Sequence, residues 1–404
     1  MPQYMSSIYL DNNATTPVSP LVLEAMRDCY QQNPANPASQ HQPGNQARRV
    51  LEDARTSIAT ILGADLGSVD GESLVFTSGA TEANNLALKG LVGSQPGKIV
   101  ASTIEHPSLL GPAEHLKQAG WDLQQISVDS LGVFDLDHAA ELITPDTQLV
   151  SVMLGNHETG ALQPVKEISA LCRSAGVLLH TDATQAVGKI PVDFRKLGVD
   201  ALSFSAHKFH GPTNIGGLLL KHDTVLRPLL YGGFQQLGLR PGSEPVALAV
   251  GMQTALDLWK QQAEKHEKAL LEMRNIFESQ LQEKLPWISI TCQQGPRLPH
   301  VSNIAFPGLN RQTLMMALDL AGLACSTGSA CASGSTDPSP VLRAMGLAEE
   351  LIEGALRFSF GRHNQPAESR QAADLVELAA SRLQSTNPPE KTAPEPPHQP
   401  AKQL

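Results

Sequence analysis

From residue 98 onward, short apolar runs alternate with amphipathic stretches, and this alternation limits the fold more than any other feature. KIVAS is followed by SLLGPAEHLKQAG, LVSVML by VKEISALCRSAG, and VLLHTD by ATQAVG. Short buried strands, each leading into an amphipathic helix, are βαβ units. They predict an α/β fold, a mainly parallel sheet flanked by helices. Ligands of such sheets bind beyond the carboxyl ends of the strands. Thr81, His106, His157, Asp182 and Lys208 all sit at such ends.

Around this core the chain divides in an ordered way. YLDNNATTPV (9–18) reads as a short strand entering a polar turn, and NPANPASQHQPG (33–44) as a loop. Residues 45–62 have helical spacing. SLVFT (73–77) is a strand that passes through Ser78-Gly79-Ala80-Thr81 into a helix over 82–92. A long helix is predicted from Trp259 to Leu285. Beyond it, short strands (VSNIAF, ALRFSF) mix with helices as in an α+β domain. The expected organisation is a large domain over 15–258 and a smaller one built from 1–14 and 259–384. Residues 385–404 are proline-rich, cannot bury apolar surface, and are expected to form a disordered tail.

A formal net charge of -10 with no Lys/Arg-rich block argues against a nucleic-acid surface. No secretion signal and no membrane-spanning apolar run are visible, so a cytoplasmic location is expected. Five scattered cysteines, an odd number, fit reduced thiols. His207 and His210 are spaced like metal ligands but lack a third, so no metal is expected.

Several residues carry chemistry. Lys208, in ALSFSAHKFHGPTNIGG, follows a buried strand among small and polar neighbours and precedes glycines read as turns (Gly211, Gly216, Gly217). Such an amine can be desolvated and hold a carbonyl compound as a Schiff base, pyridoxal phosphate being the usual one. Asp182 could protonate a pyridine nitrogen, or simply cap a helix. Gln185, a turn further on, could bond a ring oxygen or face solvent. The glycine turn before Thr81 suits a phosphate at a helix start, although Thr81 could be only an N-cap. His106 could stack on a ring and move protons, or be a partly buried loop histidine. Cys331 lies among small residues in ACSTGSACASGSTDPSP, where a thiol can meet a substrate and then hand something on, or be idle in a linker. Arg357 is out of pattern on a strand and could anchor a carboxylate or make a structural ion pair.

These pieces together (YLDNNATTP, NPAS, FTSGATEANNLA, EHPS, HTDATQAVG, SFSAHK, GSACASG and RFSFGR) resemble the cysteine desulfurases from about Tyr9 to Arg362. These are class-V aminotransferases of the pyridoxal-phosphate fold type I, and the loop around Cys331 is similar to the group serving iron–sulfur cluster assembly. The resemblance implies that Lys208 holds the cofactor, Cys331 is the nucleophile and His106 stacks and shuttles protons. It implies Asp182 at the pyridine nitrogen, Gln185 at the phenolic oxygen, and Ala80, Thr81, Ser205 and His207 at the phosphate. Ser243, in RPGS, would reach across a homodimer to the partner's phosphate, and Asn36 and Arg357 would hold the carboxylate of L-cysteine. The sulfur acceptor would be a partner protein such as an iron–sulfur scaffold. The chain departs from the family at His157, where an asparagine normally contacts the ring oxygen. Ala206, for a usual glycine, and Ser243, for a usual threonine, depart mildly; Phe234 in a glycine-rich turn and Gln40 where an arginine is common bear on substrate entry.

Overall fold

The computed structural model describes residues 8–328 and 338–386; Cys331 and residues 387–404 lie outside them, while 385 and 386, expected in the disordered tail, end the helix Pro366–Thr386. The described strands are β1 (Ile8–Tyr9), β2 (Ser73–Thr77), β3 (Lys98–Ser102), β4 (Asp122–Ile126), β5 (Thr147–Met153), β6 (Leu178–Asp182), β7 (Ala201–Ser205), β8 (Gly216–Leu220), β9 (Ser289–Ile290), β10 (Val301–Ala305), β11 (Leu323–Ala324) and β12 (Ala355–Ser359). Seven of them form one sheet in the order β2-β8-β7-β6-β5-β3-β4. β8 runs antiparallel to both of its neighbours, and the remaining pairs are parallel.

One face of the central strands is apolar, Val150, Val152, Leu179, Leu202 and Phe204 lying in a single core. The other face sets Leu149 and Ala201 beside buried Ser151, His180 and Ser203, which are joined by hydrogen bonds. The helix over Gln42–Ile61 lays Ala47, Leu51, Ala54 and Ile58 into this core, which is the spacing of one helical face. The helix over Val165–Ala175 stops at Gly176, whose left-handed φ of 72° suits a residue without a side chain.

A second, antiparallel sheet has the order β12-β10-β9. The helices Ala263–Lys284 and Pro366–Thr386 share an apolar core with it. The Phe277 ring lies 4.9 Å from Phe358 and 5.7 Å from Phe360. Ile8 and Leu10 join this core, although most of its residues lie beyond 269. β1 reaches it by pairing parallel with β11.

The structure departs from the sequence reading in three places. Gly216 and Gly217 begin β8 instead of forming a turn. A Cβ at Gly216 would stand 2.7 Å from the backbone of Gly79, so glycine here permits a close approach of two chains. ATQAVG forms a series of turns, not a helix. The segment read as one helix over 259–285 is two, Val246–Lys260 and Ala263–Lys284. They are broken at Gln262, whose φ of -135° and ψ of 24° leave the helical region. Among the described residues, no helix is long and apolar enough to cross a membrane, and no cluster of His, Cys, Asp and Glu could hold a metal.

Candidate active site

The carboxyl ends of β2, β3, β5, β6 and β7 open into one cavity of about 430 Å³. Its wall brings together Ala80, Thr81, His106, His157, Asp182, Gln185, Ser205, His207 and Lys208. They arrive at the ends of these five strands or in the turn or helix that follows each, which is why residues 128 positions apart in the chain can share one cavity.

Lys208 lies in a single 3₁₀ turn, Ala206–Lys208, directly after β7. Its Nζ donates to the carbonyl oxygens of Asn13 at 2.5 Å and Ala14 at 2.9 Å. The N-terminal strap that supplies these carbonyls is pinned to the same turn, because Thr16 N and Oγ1 both donate to His207 O. Beside it, burial and then the Lys208 charge push His207 down to about 4.

Asp182 ends β6 and is buried. Its Oδ1 accepts from Thr184 N at 2.9 Å and its Oδ2 from Asn84 Nδ2 at 2.7 Å. Asn84 donates also to Ser108 Oγ at 2.9 Å, and that hydroxyl lies 2.8 Å from His106 Nδ1. A continuous hydrogen-bonded chain therefore joins the carboxylate to the imidazole. His106 caps the helix Pro107–Gln118 by accepting from Ser108 N. Burial and then the nearby His157 push His106 down to about 4. Its neighbour Glu105 is pushed up to about 8 by burial, against the hydrogen bonds it accepts from Ser102 Oγ and Met153 N.

The helix Ala80–Leu91 starts at the cavity without a side-chain cap, leaving its first N–H groups for an anion. Glu82 is the acidic residue nearest that end, and Arg240 pairs with it at 2.9 Å. Burial opposes the Glu82 charge, but Arg240 and Ser78 hold its carboxyl below the ordinary range.

Among the described residues, three polar atoms of the wall are buried without a partner: Thr184 Oγ1, Gln185 Oε1 and His157 Nδ1. Orphaned buried polar atoms are costly, about 1–3 kcal/mol each, and mark places where a ligand completes the bonding. With an amine, a carboxylate and an uncapped helix start, they fit a pyridoxal phosphate.

The other expected site residues do not line this cavity. Asn36 is exposed, its Oδ1 accepting from Ala38 N at 2.9 Å. Ser243 is exposed on the segment after Arg240. Arg357 is buried and spends Nη2 on Asp11 at 2.7 Å and Nη1 on His157 O at 2.9 Å, while its Nε has no partner. Cys331 lies outside the described residues. The other four thiols are poor nucleophiles. Burial pushes Cys172 and Cys325 up to about 12, Cys292 up to about 11, and raises Cys29 as well.

Two residues escaped the sequence reading. Asn84 makes the link just described. Asn13 ties the strap to everything around it: its N donates to Ser359 Oγ, its Nδ2 to His157 O, its carbonyl accepts from Lys208 and Gln185, and its Oδ1 lies 2.8 Å from His300 Nε2. The signal was an asparagine pair beside a strand, which reads equally well as an exposed turn.

The family model for class-V aminotransferases matches residues 8–370. The chain belongs to that family. It is 36% identical over 384 residues to a protein named cysteine desulfurase IscS from Dictyoglomus turgidum, covering 94% of this chain and 96% of that one. It is also 36% identical over 386 residues to cysteine desulfurase NifS of Azotobacter vinelandii, covering 95% of each. Among solved structures, one described as a NifS-like protein superposes with a TM-score of 0.85 at 33% identity, over 93% of this chain and 100% of the other. The fold is that of these class-V enzymes, an α/β architecture with a large, mostly parallel sheet.

Proposed function

We propose that this chain is a pyridoxal-phosphate-dependent cysteine desulfurase that converts L-cysteine to L-alanine and passes the sulfur on as a Cys331 persulfide. The observation that carries the reading is the meeting of Lys208, Asp182 and His106 in one cavity, in a chain aligned end to end with proteins named cysteine desulfurase. The cofactor supplies an electron sink when bound.

The residues divide the work. Lys208 holds the cofactor through Nζ and moves the proton at the substrate Cα. Asp182, fixed by Asn84 and Thr184 N, faces the pyridine nitrogen, and His106 stacks and handles protons. The helix start at Ala80 and Thr81, with Ser205 and His207, takes the phosphate. The Cys331 thiolate attacks the substrate sulfur. The S–S bond forms as the C–S bond breaks, the electron pair stays with carbon, and protonation there yields the alanine methyl group. Arg357 and Asn36 are the proposed carboxylate anchors.

The enzyme acts as a homodimer in the cytoplasm, Ser243 reaching the partner's phosphate. Exposed Tyr231, Phe234 and Leu237, beside that segment, support a covered face there. Residues 15–258 carry the cofactor; 1–14 and 259–384 form the smaller domain with Cys331; an iron–sulfur scaffold protein takes the sulfur. The test is an assay of alanine and sulfide released from L-cysteine. Cys331→Ser abolishes sulfur release and leaves the protein yellow, whereas Lys208→Ala loses the lysine-bound absorbance. Undiminished turnover in the first variant, or an unchanged band in the second, removes the assigned role.

A further inference from the structure

His157 stands where the family resemblance implies an asparagine, and its surroundings give the imidazole a chemistry of its own. The imidazole lines the cavity and is 9% exposed. Its Nε2 lies 3.6 Å from Glu158 Oε1, and its Nδ1 is buried with no partner. Burial works against the charge of Glu158, yet His157 and Ser339 hold its carboxyl below the ordinary range; Ser339 Oγ donates to Oε2 at 2.6 Å. An anionic acceptor beside Nε2 draws the ring's single N–H there, so the unpartnered Nδ1 of the neutral ring holds only a lone pair.

A lone pair cannot serve an acceptor oxygen. Gln185 also leaves an acceptor, Oε1, without a partner, having spent an N–H on Asn13 O. Of the three orphaned atoms in the wall, only His157 Nδ1 can become a donor by gaining a proton. We propose that His157 takes up a second proton from solvent when the cofactor binds, becoming an imidazolium held between Glu158 and the cofactor's ring oxygen.

The charged and titratable groups around it set the balance. His106 faces it edge-on from the start of the helix Pro107–Gln118, with ring centroids 5.1 Å apart, and opposes its protonation when charged. Glu105 precedes that helix. Asp182 at the end of β6 and Glu158 favour the proton; Lys208 after β7 and Arg357 on β12, which grips the His157 carbonyl, oppose it. Glu158 is the charge in direct contact and dominates. An asparagine at this position would donate to the same oxygen without titrating.

This inference rests on the reading of the cavity as a pyridoxal phosphate site. It is tested by isothermal titration of the full-length apoprotein with pyridoxal 5'-phosphate, in non-amine, non-phosphate buffers of different ionisation enthalpy. At about pH 8, above the ordinary histidine range, the unmodified protein takes up about one proton more than His157→Asn. Glu158→Gln, which keeps the imidazole but removes the charge beside it, takes up less than the unmodified protein. Bound cofactor with equal proton counts in the unmodified protein and either variant overturns the inference and leaves the functional reading intact. A protein that gains no visible absorbance on adding cofactor overturns both.

Discussion

The large sheet's carboxyl edge and the small antiparallel sheet solve opposite problems. The small sheet is closed with hydrocarbon: Phe277, Leu281, Leu314, Leu318, Phe358 and Val376 are buried together and need no partners beyond contact. The edge of the large sheet buries Glu105, Glu158, Asp182 and Asn84 and leaves Thr184, Gln185 and His157 with unsatisfied atoms. One region gains stability from its side chains, and the other holds them ready for a ligand. The strand that joins them is β12. Its side chains alternate, Leu356 and Phe358 toward the apolar core, Arg357 and Ser359 toward Asp11, His157 and the Asn13 backbone. A period of two lets five residues serve both regions.

Acid separates the two regions most strongly. Burial holds His106 and His180 down to about 4, His210 to about 2, and His300 well below its ordinary value. Each stays neutral in the folded chain, so its contribution is present above about pH 6.5 and is lost as pH falls through that value toward the folded one. Glu105 runs the other way: with its pKa raised to about 8, its contribution is present below about 4.5 and lost as pH rises through 8. Between pH 6.5 and 4.5 the four histidines outweigh the one carboxyl, each group counting ~1.4 kcal/mol per pH unit. Urea midpoints therefore fall steeply from pH 7 to pH 5, by several kcal/mol in stability; a flat or rising midpoint breaks the contrast. None of these side chains belongs to the phenylalanine cluster, although His300 adjoins it, its carbonyl accepting from Phe360 N.

Phe277→Ala probes the other side. Removing a fully buried ring that touches Phe358 and Phe360 costs about 3–5 kcal/mol. Read by urea unfolding, the loss is large, while the absorbance of bound cofactor under native conditions stays as it was. A shifted absorbance band would show that the two regions are not separable through β12.

What the sequence reveals follows the same division. The parallel strands are legible because buried runs such as LVSVML have no polar alternative. The cavity wall is legible wherever a chemically distinctive residue ends such a run, as His106, Asp182 and Lys208 do. β8 is hidden because paired glycines read as a turn, and only the approach of Gly79 explains them as strand. The helix break at Gln262 is hidden because the apolar spacing continues through it. Asn13 and Asn84 are hidden for a different reason: a buried amide and an exposed one look alike until every partner is known. Asn36, Ser243 and Arg357, legible as motifs, do not line the cavity that Lys208, Asp182 and His106 share.

Asn84 gives the finest cut between structure held and structure kept ready. It is fully buried, donates to Asp182 Oδ2 and to Ser108 Oγ, and through Ser108 fixes the imidazole of His106. Asn84→Ala leaves a buried carboxylate with one fewer donor, at a cost of about 1–3 kcal/mol. Asp182 still accepts from Thr184 N, so the fold survives and the orientation of the carboxylate suffers. Cofactor affinity falls with it. Asn84→Asp is worse, since it places a second carboxylate against Asp182 and keeps the volume unchanged. Urea unfolding and cofactor titration of the pair decide the matter: the order unmodified protein, then alanine, then aspartate is expected in both. Equal affinity in all three would mean that Thr184 alone sets the carboxylate, and that the hydrogen-bonded chain to His106 carries no coupling between the two.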